Sequence, residues 1–133
     1  VAEVAGVAHQ VSSNVQYPQM RAEVVHALAA LSDTEYQNQV WGHVQNSGAY
    51  DDFSAAVHTL YDDDLHLPNA ENSIGFVLVS GIEVDRLKLL DRYLGPIIDQ
   101  LKDSPDSAYL AHPNWPQVVG AAQLALSAMI LNN

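Results

Sequence analysis

IEVDRLKLLDRYLGPIIDQLK, residues 82–102, decides the fold class. Leu87, Leu90, Leu94, Ile97 and Leu101 step by 3, 4, 3 and 4 residues, so a helical period gathers them on one apolar stripe. The charged residues fall between them, on the opposite side. Gly95-Pro96 interrupts the run and should kink or split the helix, because proline removes an intrahelical hydrogen bond.

On the C-terminal side, residues 103–113 read as a loop carrying Pro105 and Pro113. Asn114 can cap a last helix, with Pro116 in its first turn, where a missing N–H costs nothing. Val119, Ala122, Leu126, Met129 and Ile130 are its expected inner stripe. Trp115–Leu131 is apolar but short for a membrane span and carries Gln117, Gln123 and Ser127, so a buried helix is the better reading.

On the N-terminal side, Tyr17-Pro18 opens a helix with Met20, Val24, Leu28 and Leu31 along one stripe. Ser32 or Asp33 caps the next, with Glu35 in its first turn and Tyr36, Val40, Trp41 and Val44 as its apolar face. A third begins near Asp51-Asp52, with Phe53, Val57 and Leu60 on one face, and should end at Asp64. Leu65–Ser73 is a connector. Ile74–Val79 reads as a short strand or, for want of a partner strand, an extended buried segment. The expectation is all-α: one domain of five or six helices over residues 17–133. Residues 1–16, with valines at 1, 4, 7 and 11, read as a frayed helix or a tail.

Sixteen acids against five bases leave a formal net charge of −11. Four bases, Arg86, Lys88, Arg92 and Lys102, lie on the long helix, and the fifth is Arg21. Residues 22–85 contain no Lys or Arg but hold Glu23, Asp33, Glu35, Asp51, Asp52, Asp62, Asp63, Asp64, Glu71, Glu83 and Asp85. This disfavours nucleic acid and anionic membranes, both of which need bases at the contact, and favours a basic protein or a cation.

At about 100° per residue, Asp51, His58 and Asp62 fall within roughly 40° of one another, opposite Phe53, Val57 and Leu60. The plain reading is a solvated helix face. A sharper one is a recognition face for a basic protein, formed by Asp51, Asp52, Asp62, Asp63 and Asp64, with Tyr50 and Tyr61 as aromatic anchors. A third is a divalent metal held by Asp51, His58 and Asp62, although no paired-His motif supports it. Asp62-Asp63-Asp64 lacks the alternate spacing of a calcium loop. The absence of Cys removes thiolate chemistry, and no P-loop, dinucleotide fingerprint or nucleophile elbow is present. No cofactor and no catalytic residue are expected.

Tyr17-Pro18-x-Met20-Arg21, Tyr50-Asp51-Asp52-Phe53, Leu60-Tyr61-Asp62-Asp63, Ala108-Tyr109-Leu110 and Pro113-x-Trp115-Pro116-x-Val118-Val119 together resemble a family of small uncharacterised bacterial proteins. That family is prominent in actinobacteria, and some of its members sit among immunity proteins of toxin systems. The resemblance spans about residues 17–126 and implies a bacterial, cytoplasmic protein. Together with the charge it favours a non-catalytic, immunity-type inhibitor of a basic toxin or nuclease. The alternative is a structural or regulatory protein that forms a homo-oligomer through the uncharged residues 107–133, and a third reading is a metal-dependent enzyme.

Overall fold

The computed structural model describes residues 15–41 and 52–132. Within them lie six α-helices: α1 (Pro18–Leu31), α2 (Thr34–Val40), α3 (Phe53–His58), α4 (Gly81–Leu101), α5 (Asp106–Leu110) and α6 (Trp115–Leu131). A π turn, Thr59–Asp63, extends α3, and 3-10 turns occupy Leu67–Ser73. No strand occurs among the described residues, and the architecture is an all-α single domain. None of these helices is long and apolar enough to cross a membrane.

The leucine stripe on α4 does what its spacing predicts. Leu87, Leu90, Leu94 and Ile97 are buried, and Leu101 is half-buried at the helix end. Of the two expected outcomes at Pro96, the split does not occur: one helix runs through it from Gly81 to Leu101. Pro96 and Arg92, whose carbonyl loses its intrahelical donor, both lie at the surface, where water can replace the bond. Lys102 ends the helix at φ 48°, and Tyr109 Oη caps it by donating to the Lys102 carbonyl at 2.6 Å. Tyr109 belongs to the short helix α5, inside the stretch expected to be a loop.

α6 packs along both α4 and α1 and forms the centre of the core. Its buried residues are Trp115, Val118, Ala121, Ala122, Ala125, Ala128 and Met129. The expected stripe is therefore displaced: Val119 and Leu126 are only half-buried, and Ile130 is 55% exposed. Gln117, Gln123 and Ser127 lie on its exposed side, but Leu124 and Ile130 share that side, so large apolar residues do not mark which face is inner. Its alanines lie inward, where small side chains suit closely packed helices.

The second helix is shorter than expected. It ends at Val40, with Trp41 in extended backbone, and Val44 lies outside the described residues. Buried Gln37 explains what this short helix does. Its Nε2 donates to the carbonyls of Ala30 and Leu31 at 2.8 and 2.9 Å, satisfying orphan acceptors at the end of α1. Its Oε1 accepts from Trp115 Nε1 at 3.0 Å, which ties in α6. Nearby, the ring of Phe53 stacks on Tyr109 at 4.0 Å and meets Trp41 and Trp115 edge-on at 5.9 and 5.8 Å.

Residues 74–79 form neither a strand nor a uniformly buried stretch. Gly75 turns the chain at φ +89°, and the Ser73 carbonyl accepts from the N–H groups of Phe76, Val77 and Leu78. Val77 and Leu78 are buried while Ile74 and Phe76 are exposed. This loop joins a buried ion pair. Arg21 donates to both carboxylate oxygens of Glu83 at 2.9 and 2.7 Å, and to the carbonyls of Val77 and Met129 at 3.1 Å each. Glu83 also accepts from Val79 N–H at 2.8 Å and Asn132 Nδ2 at 2.9 Å. Four segments of the chain thus meet at one fully hydrogen-bonded pair, which is the condition for tolerating charge in a core.

Candidate functional site

Folding removes some of the acids from the surface field. Glu83 is buried against Arg21; burial alone would raise its carboxyl, but bonds from Arg21, Val79 N–H and Asn132 outweigh it and hold the group below its ordinary value. Glu71 pairs with Lys88 at 2.8 Å on the surface. Asp33 and Asp52 are helix caps: Asp33 accepts from Tyr36 N–H at 3.0 Å and Asp52 from Ala55 N–H at 2.8 Å. These local duties explain four of the acids singled out by composition.

Of the expected recognition residues, Tyr50 and Asp51 lie outside the described residues. The others separate into distinct environments. Asp62 and Asp63 are exposed, and Asp62 Oδ2 lies 3.0 Å from His58 Nδ1. That pair is an ordinary i, i+4 surface contact; the metal triad would need Asp51 as well. Among the described residues no group of three His, Cys, Asp or Glu side chains is placed to hold a metal ion. Tyr61 turns inward: it is half-buried, and its hydroxyl donates to Asp91 Oδ1 at 2.7 Å. Burial and the Asp91 carboxylate push that hydroxyl far above the usual tyrosine range. The same Asp91 oxygen would lie 3.2 Å from a Cβ at Gly95, so a glycine there keeps the helix clear of this pair.

Asp64 has the least ordinary setting. The π turn closes with Asp64 N–H donating to the Thr59 carbonyl at 3.2 Å, and the Asp64 carboxyl sits beside Glu23 of α1. Its Oδ2 is buried and receives no hydrogen bond. The neighbouring carboxyl can bond to it only if one of the two holds a proton. Burial, then Glu23, then Asp63 push Asp64 up to about 6.

Next to this pair a groove of about 510 Å³ runs between α1, the start of α2, and α3 with the first residue of its π turn. Half of its described lining is alanine: buried Ala27 and half-buried Ala30 with exposed Ala29 from α1, and buried Ala56 with exposed Ala55 from α3. Glu23, His26, Asp33, Tyr36 and Thr59 form the rim. Among the described residues that line it there is no Lys or Arg, all of them falling in the base-free stretch 22–85. The sequence reading gave these alanines no part, because alanine is equally at home on any helix face. The facing pairs Ala29-Ala30 and Ala55-Ala56 were the available signal.

The arrangement has an alanine lining, two carboxylates on its rim and an exposed acidic turn beside it. It can hold a positively charged guest with an apolar side. No curated protein and no solved structure matches the chain. One family does match, over residues 15–133, and the chain belongs to it: Domain of unknown function (DUF7945).

Proposed function

We propose that this chain is a non-catalytic protein-binding domain that receives a basic protein on the side built from α1, α3 and the π turn. The observation that carries the reading is the exposure of Asp62 and Asp63 beside the Glu23–Asp64 pair, in a stretch without any Lys or Arg. Such a field speeds encounter with an oppositely charged surface and sets its register. An immunity-type inhibitor of a basic toxin or nuclease, acting in a bacterial cytoplasm, is the particular form this reading takes.

The test is capture by the tagged chain from its native host at low and high salt. A basic protein retained at low salt, released at high salt and lost with Asp62→Lys/Asp63→Lys is the expected result. Recovery of no basic protein under either condition overturns the reading. A second reading, self-association through residues 107–133, rests on the exposed side chains of Leu124, Ile130 and Leu131. A dimer that persists at high salt in light scattering would favour it.

A further inference from the structure

We propose that the alanine-floored groove docks an amphipathic basic helix of the partner, its small or apolar face on the floor and its Lys or Arg side chains toward Glu23, Asp33 and Asp64. The inference rests on the protein-binding reading and names the element that would be bound.

Three observations select this occupant. First, the floor is shaped for a helix. Ala27, Ala29, Ala30, Ala55 and Ala56 rise only a methyl group above their backbones, and they lie on two neighbouring helices. A third helix laid between them can approach closely and bury an i, i+3, i+4 apolar face. From Glu23 to Asp33 the rim runs for roughly 15 Å along the chain's helical rise, about three turns of a docked helix.

Second, the permanent charges among the described rim residues are both negative. Glu23 and Asp33 stand near the two ends of the α1 side, and among the described lining residues there is His26 but no Lys or Arg. An acidic helix would oppose these charges, whereas Lys or Arg flanking an apolar stripe would meet them, Asp33 keeping its cap bond from Tyr36 N–H. Third, the Asp64 carboxyl sits beside Glu23, just outside the groove lining, so two acids crowd one place on the rim. An ammonium or guanidinium group at Glu23 relieves the repulsion between them.

Two synthetic peptides of about 14 residues, a length at which an isolated helix is marginal, test the inference. One carries alanine and leucine at helical spacing with lysine elsewhere; the other has the same composition in scrambled order. Titration into the full chain is followed by amide NMR shifts and peptide circular dichroism. The patterned peptide should saturate, gain helicity, and shift Ala27, Ala30, Ala55 and Ala56; the scrambled one should bind at least about tenfold more weakly. Ala29→Leu/Ala55→Leu fills the groove at two exposed positions and should reduce binding of the patterned peptide about tenfold. Glu23→Gln/Asp64→Asn keeps the shape and should also weaken it.

Equal binding of both peptides, with shifts confined to Asp62 and Asp63, overturns the groove while leaving a charge-driven protein partner intact. Binding of neither peptide at low salt also overturns the groove. The capture experiment above decides the wider reading independently.

Discussion

At Asp64 a single carboxyl links the fold to its surroundings. Its pKa is raised from 3.8 to about 6 because the group is partly buried beside Glu23, so the folded state holds the proton more tightly than the unfolded chain does. The sign of the linkage follows. The stabilising contribution is fully present below about pH 4 and is lost as pH rises through about 6. Above that, two carboxylates face each other and the fold is weaker for it. Asp64→Asn should therefore raise stability by about 1 kcal/mol at pH 7, after allowance for partial solvent screening, and change little at pH 4. Urea unfolding across that interval measures the difference. A loss of stability at pH 7 would mean that the carboxylate has a cationic partner in the free protein. None of this was visible in the sequence, where Glu23 and Asp64 stand far apart and Asp64 reads as the last acid of a run.

Helix ends and helix faces differ in how plainly they are written. Ser32 or Asp33, and Asp51-Asp52, were expected to stand at helix starts, and Asp33 and Asp52 do cap α2 and α3. The α4 stripe was equally plain, since charged residues separate its leucines and only one phase buries them. α6 was not, because Leu124 and Ile130 share the outer side with its few polar residues and small residues rather than large ones went inside. The π turn was hidden too: an extra backbone step leaves no compositional mark, yet it carries Tyr61 toward Asp91 and brings Asp64 beside Glu23.

These distinctions matter for the acidic face. Asp52 spends its carboxylate on Ala55 N–H, whereas Asp62 and Asp63 lie free of the helix backbone start. Asp52→Ala should cost about 1 kcal/mol of stability, the usual loss of an N-cap. Its effect on capture of a basic protein should be much smaller than that of Asp62→Lys/Asp63→Lys. Parallel thermal melts and capture assays check both halves. A large binding defect with unchanged stability would make Asp52 a contact residue instead.

Over the whole molecule the net charge of −11 acts on folding and on binding in opposite directions. Self-repulsion among the acids opposes the compact state, and the described surface offers little to offset it: the Lys88–Glu71 pair and the His58–Asp62 contact are both exposed. The Arg21–Glu83 pair is internal and is shielded from bulk ions. Raising NaCl from about 10 mM to about 200 mM shortens the screening length from roughly 30 Å to under 10 Å. It should therefore stabilise the free chain, raising the unfolding midpoint by about 2–5 °C, on the scale of ~1 kcal/mol for a domain of this size. The same salt should weaken a basic partner's encounter, because the field that repels itself is the field that attracts the partner. Thermal scans and capture over one salt series read the two slopes together. A midpoint that falls with salt would show that surface attractions outweigh repulsion, and the acidic side would then have no unanswered charge to offer a partner.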